Sequence, residues 1–502
     1  MKRLDKFIND ITMYRLVLFG LIAIIVAALI SSVTGYLGFT PLSLISSLAT
    51  IAAVSFGANF AMVKLFKSAP SIESWIITAL ILFLILKPAS APADYAVLAL
   101  GAVLAVTSKY ILTYRNRHII NPVIFAIFVL GLLGSGEVFW WVGSKSLLPI
   151  VAIVGYLIVR KIRRFDMIFL FIAVALSTIA VSRGLSDQTL TNISGAILSG
   201  PLVFFAIMML TEPQTSPHSR KLRLAFAGIV GLFFGLQFSF SIITSSPELA
   251  LLIGNLFAFA VTSKRRLRLE LKSISPQGNG IYQFDFKPEA PLKFQPGQYL
   301  EWTLPHRHAD SRGDRRFFTI ASSPTEETIK LVVRIDPDKS SSFKKALLAM
   351  KPGDVMWASA LSGDFQLTHS HAKPTVMIAG GIGITPIRSM IQQLVDTGQH
   401  RTVTLYYSAQ TVDSFTYWQL FNQAVSNGVR PNYVITGQDV PENWTGKTGH
   451  LTSDIIKNDV SDYKHAVYYL SGPSAMVNSY VRMLRKAGIH RKQIKTDYFP
   501  GF

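Results

Sequence analysis

Two short strings carry the side chains and backbone freedom that phosphate and ring chemistry need. They are Arg316-Phe317-Phe318-Thr319-Ile320-Ala321-Ser322-Ser323 and Gly380-Gly381-Ile382-Gly383-Ile384-Thr385-Pro386. A diphosphate requires fixed cations and directed N–H groups, and the planar guanidinium of Arg316 offers a two-pronged donor. In the second string, glycines lacking a Cβ let the backbone approach the phosphates of a dinucleotide. Ser340-Ser341-Ser342 precedes a helix expected over 343–350. Its hydroxyls and amides suit either the same phosphate or a plain helix cap.

The elements that must hold these strings follow from periodicity. Short alternating segments run over 267–273, 281–287, 299–303, 317–321, 329–335 and 355–361, with turn signals such as Gln277-Gly278-Asn279-Gly280 between them. Strands at this spacing indicate an antiparallel β-barrel. Beyond Lys373 the expectation changes to strands at 375–379, 402–407, 432–435 and 466–470 with helices between, a parallel α/β sheet. The first string ends a barrel strand, and the second links the first sheet strand to its helix.

The part before residue 264 is different. Ten apolar runs, 14–34, 41–63, 72–87, 93–111, 120–135, 141–159, 165–182, 196–211, 222–243 and 247–263, approach the roughly 20 residues a bilayer core requires. The first is too long for a cleavable leader and lacks a small-residue cleavage site, so it is expected to stay as a helix. Lys2, Arg3 and Lys6 are followed in every second connection by further basic residues: Lys64 and Lys67; Lys109, Arg115 and Arg117; Arg160, Lys161, Arg163 and Arg164; Arg220, Lys221 and Arg223; Lys264, Arg265, Arg266 and Arg268. The alternate loops hold little beyond Lys87, Lys145 and Arg183. This pattern predicts ten spans in an inner or plasma membrane with both termini cytoplasmic. It also explains the net charge of +20 without nucleic acid as a partner.

The expected organisation is therefore a polytopic all-α bundle over 1–264, a barrel over 265–370 and an α/β domain over 371–502. The chain of 502 residues has no cysteine, so thiolate chemistry and cysteine-ligated iron–sulfur clusters are excluded within it. Transmembrane haem is not expected either. Only His118 and His218 precede the barrel, both in predicted loops, and no metal site is expected.

Barrel, sheet and motifs in this order resemble the ferredoxin-NADP⁺ reductase superfamily over the whole second half. The resemblance implies FAD held by Arg316, Phe317, Phe318, Thr319, Ser322 and Ser340, Ser341 and Ser342. Phe318 would stack on the flavin in place of the usual tyrosine, and Thr319 would sit near its reactive nitrogen. It also implies a turn at Gly363-Asp364-Phe365, although Leu361-Ser362 replaces the usual Gly-Pro. The dinucleotide would lie against Gly380, Gly381, Gly383, Thr385 and Pro386. Ser408 and Gln410 would follow the second sheet strand, where Gln410 in place of arginine favours NADH over NADPH. Ser471-Gly472-Pro473-Ser474-Ala475-Met476 stands where the family has Cys-Gly-Pro-x-x-Met, which assigns Gly472, Pro473 and Met476 to the cofactor. Thr319, Thr385 and Ser471 are the implied catalytic positions, and Tyr498 or Phe499 the terminal aromatic cover.

The first half resembles the ten-helix membrane component shared by Na⁺-translocating NADH:quinone reductases and Rnf electron transport complexes. The strings that carry this are Arg117-His118-Ile119-Ile120-Asn121-Pro122 and Met208-Met209-Leu210-Thr211-Glu212-Pro213. From the residues alone, these prolines and polar groups fit helix ends at the interface. The resemblance adds a flavin or quinone site at Asn121, Pro122, Thr211, Glu212 and Pro213. Ser194-Gly195-Ala196-Ile197 lacks the threonine to which that family esterifies FMN. Non-covalent FMN or riboflavin is left as the membrane carrier.

Together these resemblances imply an NAD(P)H-dependent FAD oxidoreductase. It would pass electrons into the membrane half, for quinone or for a transmembrane flavin and an acceptor, such as a flavin-bearing protein, outside. A redox-driven ion-pump component and an anchored reductase for soluble acceptors are the alternatives. Few acidic residues lie in the spans, which weighs against a pump.

Overall fold

The computed structural model describes residues 11–66, 72–114, 117–134, 138–182, 188–217, 219–240, 243–262, 266–307, 310, 313–336, 338, 340–368 and 373–499. Lys2, Arg3, Lys6, Lys67, Arg115, Arg183, His218, Lys264 and Arg265 lie outside these residues, as do the side chains of Arg117 and Phe499. The chain divides into two compact units, Met1–Thr262 and Ser263–Phe502.

The first unit is helical, and every expected apolar run contains a helix. Among the described residues, Met13–Val33, Pro41–Phe66, Pro92–Ile111 and Phe165–Ser182 are long and apolar enough to cross a membrane. The expected run 196–211 is instead a broken pair, Thr191–Leu198 and Leu202–Met209, bent by 57°. Pro201 at the break has no N–H to continue the ladder, and the chain resumes partly as a π-helix over Phe205–Met209. Pro122–Leu132 and Pro247–Val261 are shorter, and each starts on proline behind a capping side chain. Asn121 accepts from Val123 and Ile124 N–H, and Ser246 accepts from Leu249 N–H.

The order of features repeats within this unit. Pro41–Phe66 packs on Pro92–Ile111 as Phe165–Ser182 packs on Arg220–Gly235. Each second helix leads into a two-residue antiparallel ribbon, Thr113–Tyr114 with Arg117–His118 and Ser239–Phe240 with Ile243–Thr244. Each ribbon then leads into one of the two shorter helices, Pro122–Leu132 and Pro247–Val261.

The second unit has two sheets. The antiparallel sheet runs in the order Arg315–Thr319, Tyr299–Thr303, Val355–Ser362, Leu267–Gly278, Ile281–Pro288, Ile329–Arg334. Leu269, Leu271, Phe284, Phe286, Leu300, Trp302 and Leu331 fill its inner face, and Phe343 of the helix Ser342–Leu348 closes one end. The two outermost strands are linked where Ala321 N–H, just past the end of Arg315–Thr319, donates to the Lys330 carbonyl within Ile329–Arg334 at 2.9 Å.

The other sheet is wholly parallel, in the order Lys447–Thr448, Val429–Ile435, Val403–Ala409, Thr375–Gly380, Val467–Pro473, Ile494–Phe499. Thr375–Gly380 and Val403–Ala409 are buried along their whole length, as a sheet covered on both faces requires. The C-terminal string, read above as a cover, begins as the outer strand Ile494–Phe499. The chain enters at Thr375–Gly380, winds to one edge, then returns to the other side at Val467–Pro473. The strand order therefore reverses between these two neighbours, and in open α/β sheets ligands bind at such a reversal.

Candidate functional site

Gly380 ends the first of those neighbouring strands, and Ser471-Gly472-Pro473 ends the second, with Ala379 and Ser471 in register. The glycines differ in what they do. A Cβ on Gly383 would lie 2.4 Å from the Ser471 carbonyl oxygen, so glycine there lets the helix Ile384–Asp396 meet the strand backbone. Gly381 has φ +53 and nothing within 4 Å of where a Cβ would stand. It is a left-handed turn facing open space, which suits an approaching phosphate or ring.

The serines and threonines here are mostly committed to the protein. Thr385 is buried and donates to the Ile382 carbonyl at 3.2 Å. Ser408 donates to the Ala379 carbonyl at 2.9 Å. Ser471 is the exception, because its Oγ is buried without a hydrogen-bond partner. Pro386 is buried in the helix, Pro473 is exposed, and Met476 packs over Gly380 and Gly472. Gln410 is exposed just past the end of Val403–Ala409, and its backbone carbonyl accepts from Gly437 N–H at 3.2 Å.

The sequence reading passed over Asp497, which the structure pairs with Ser471 across the sheet. Residues in register on parallel strands face the same side, so the carboxyl and the orphaned hydroxyl share a face. Burial pushes the Asp497 carboxyl up to about 6, against a lowering hydrogen bond from Tyr498 N–H. Tyr498 alternates to the opposite face and packs with the core around Val477. Asp497 follows Lys495 and Thr496 in the final strand Ile494–Phe499, so its polarity alone does not set it apart in the sequence.

On the antiparallel sheet, Arg316 and Phe318 share a strand face with Trp302 and Leu300, their register partners. The Phe318 ring is half-buried against Phe343, 5.8 Å between centroids. Phe317 is the exposed ring, 52% accessible and edge-on to Tyr299. The stacking position therefore falls on a side chain that leans into the core, while its neighbour presents an open ring. Thr319 is buried in register with Tyr299. Ser322 accepts from Lys330 N–H through Oγ at 3.1 Å.

The Arg316 guanidinium donates to the Gly313 and Arg315 carbonyls and faces the Asp310 carboxylate at 3.4 Å. Asp310 also accepts from Ser342 N–H at 3.0 Å, and the Ser342 hydroxyl accepts from Asp310 N–H at 2.9 Å. Ser341 caps the helix through Lys344 N–H, and the Ser340 hydroxyl accepts from Asp336 N–H. Asp310 thus links Arg316 to Ser342, while Ser340 and Ser341 are engaged by the backbone of Asp336 and Lys344. Gly363 makes a left-handed turn against Gln298, Asp364 is exposed, and Phe365 is buried edge-on to Tyr469.

In the helical unit, Asn121 and Glu212 meet: the Asn121 amide donates to Glu212 Oε2 at 2.7 Å, as does the Thr215 hydroxyl. Asn255 accepts from Asn121 N–H at 2.9 Å and donates to the Thr215 carbonyl at 3.3 Å. Thr211 donates to the Ile207 carbonyl and receives Arg164 on its own carbonyl. Pro122 is buried as the first residue of its helix, and Pro213 lies in the turn after Glu212. These residues form a hydrogen-bonded hub that ties together four segments, at Asn121, Arg164, Thr211–Thr215 and Asn255.

Residues 377–482 match the model of the oxidoreductase NAD-binding domain, and residues 130–266 that of the NQR2, RnfD, RnfE family. The chain thus fuses one stretch similar to each. The reductase half is 29% identical over 238 residues to the phenol hydroxylase P5 protein of Acinetobacter pittii, covering 46% of this chain and 64% of that protein. It is 30% identical over 205 residues to the F component of the Na(+)-translocating NADH-quinone reductase of Neisseria meningitidis, covering 37% and 49%. The fusion thus spans only part of the length of these relatives. Among solved structures it is similar to the Amycolatopsis cytochrome P450 reductase GcoB, with a TM-score of 0.42, 23% identity, and coverage of 47% and 70%.

Proposed function

We propose that the fusion is a membrane-bound flavoprotein oxidoreductase that takes hydride from NADH at its cytoplasmic face and delivers electrons to the membrane unit. Residues 265–370 would bind FAD and 371–502 the dinucleotide, with 1–264 as ten spans and both termini cytoplasmic. The observation that carries the reading is the glycine cradle at the strand-order reversal: an open left-handed turn at Gly381 just past Gly380, beside a strand whose Ser471 is in register with Ala379 on one side and Asp497 on the other. FAD, when bound, accepts a hydride and can release its electrons singly.

The chain's own residues supply the rest. Arg316 directs cationic N–H groups, and Phe317 offers an open ring. Gly381 admits the phosphates or ring to the backbone. Ser471 lends a hydroxyl with no competing partner, and Asp497 can hold a proton beside it near neutral pH. Gln410, exposed and uncharged, supports NADH over NADPH. Beyond FAD, quinone or non-covalent FMN or riboflavin is the acceptor we favour in the membrane unit. That reading is supported by the match of residues 130–266.

The deciding experiment is anaerobic titration of the purified full-length protein with NADH and NADPH while flavin absorbance is followed, with the cofactor identified by extraction from a separate sample. FAD bleached at lower NADH than NADPH concentrations supports the proposal. A flavin-free protein, or flavin that neither dinucleotide reduces, overturns it.

A further inference from the structure

Arg388 lies one turn into the helix Ile384–Asp396, which opens on the Gly380–Gly383 turn. Its side chain is buried, and Nη1 donates to the Ala321 carbonyl at 3.0 Å. Both Nη atoms also grip the Glu326 carboxylate, Nη2 at 3.0 Å. The adjacent Ser389 hydroxyl donates to the Ser322 carbonyl at 2.6 Å. Glu326 in turn accepts from Ser323 N–H at 2.6 Å and pairs with Lys330 at 3.0 Å. Each of the three residues that end the arginine–aromatic string is therefore held, two by the dinucleotide helix and one by its ion-pair partner. A second arm runs alongside: Tyr417 lies under the guanidinium at 5.4 Å, and its hydroxyl donates to Gln283 of the antiparallel sheet at 2.9 Å.

Stability alone is a poor account of this arrangement, because burying two charges carries a desolvation cost that their attraction often only offsets. A planar fork fixes direction as well as distance, which a lysine cannot do. Burial pushes the Glu326 carboxyl up, but the hydrogen bond and charge of Arg388 outweigh it and hold the group below its ordinary range.

We propose that Arg388 is a positioning residue: its fork, with the Ser389 hydroxyl, sets the distance and angle between the flavin-side string and the dinucleotide turn. This rests on the roles given to the two strings under Proposed function. Transfer between two bound rings tolerates little misplacement, and a shift of about 1 Å can cost on the order of 100-fold in rate.

The test uses the full-length protein in detergent, comparing wild type with Arg388→Lys and Ser389→Ala. Bound FAD, its visible circular dichroism and the long-wavelength charge-transfer band on adding NAD⁺ to the dithionite-reduced protein are measured. Turnover per bound flavin and the isotope effect with 4-deuterated NADH complete the set. Arg388→Lys is expected to keep its FAD, lose the charge-transfer band, and fall by about 10- to 100-fold in kcat with KM within about twofold, while its isotope effect rises. Ser389→Ala should shift the band and isotope effect in the same direction by less, and it decides the matter if the lysine variant does not retain FAD. A wild-type band and isotope effect in whichever variants retain FAD would overturn the inference. Failure of NADH to reduce the wild-type flavin would instead sink the underlying functional reading, before any variant is compared.

Discussion

Ser471 and Asp497 are direct partners across two parallel strands, on one face of the sheet and at the point where strand order reverses. One brings a buried hydroxyl with no partner, the other a carboxyl that burial pushes up to about 6. A raised carboxyl pKa means that the folded protein holds this proton more tightly than the unfolded chain. Asp497 therefore lowers stability progressively as pH climbs from its ordinary value near 3.8 through about 6, and the cost is complete above that.

Asp497→Asn, neutral at every pH, should accordingly melt higher than wild type at pH 8, with the difference shrinking towards pH 4.5. NADH turnover of wild type should show a step near pH 6 that the variant lacks. Parallel melting curves for the two proteins across this range, or a step that survives the substitution, would remove Asp497 from the site.

The glycines predict a graded series. Gly383→Ala would drive a Cβ into the Ser471 carbonyl, where only backbone could yield, whereas Gly380→Ala would meet the flexible Met476 thioether. We expect Gly383→Ala to cost about 1–3 kcal/mol, as overpacking does, and to abolish dinucleotide binding. Gly380→Ala should bind with modest loss. Binding of NAD⁺ by calorimetry and melting of both variants would reverse the assignment if Gly380→Ala were the more damaging.

Phe317 and Phe318 separate stability from cofactor binding. Phe318→Ala opens a cavity beside Phe343 and should cost at most about 3 kcal/mol, the lower end of the range for a core aromatic, because the ring is only half-buried. Phe317→Ala removes an exposed ring and should leave the melting temperature nearly unchanged while lowering the flavin-to-protein ratio. Equal flavin content in Phe317→Ala and wild type would return the stacking role to Phe318.

Much of this was legible in the chain, and the gaps have physical causes. Strands of the antiparallel sheet followed from alternation, as in Val355–Ser362 with one buried and one wetter face, and 299–303 was placed to the residue. In the parallel sheet both faces are covered, so alternation is lost. The third strand was placed late because Pro431 sits inside Val429–Ile435. The final strand was missed because Lys495, Thr496 and Asp497 stand in succession within it and leave no apolar alternation. Motif order found the two strings but could not show that Phe317 rather than Phe318 is exposed, or that Arg388 and Asp310 complete them. Those relationships depend on register and on contacts more than 30 residues apart in sequence. In the membrane half, hydropathy located the helices but not the break at Pro201.

The hub at Glu212 gives the last prediction. Asn121 is used fully: its Oδ1 caps a helix through two N–H groups, its amide donates to Glu212, and its backbone N–H reaches Asn255. Asn121→Ala thus removes a cap and a bond to a carboxylate at once, and should cost about 2–3 kcal/mol. Asn121→Ser keeps an acceptor for the cap and should recover part of that loss, whereas Thr215→Val removes only the second donor to Glu212 and should cost about 1 kcal/mol. Melting of the detergent-solubilised protein, followed by size-exclusion chromatography, tests this order. If the residues instead lined an open quinone or flavin pocket, Asn121→Ala would leave the melting temperature unchanged and alter only the response to added quinone.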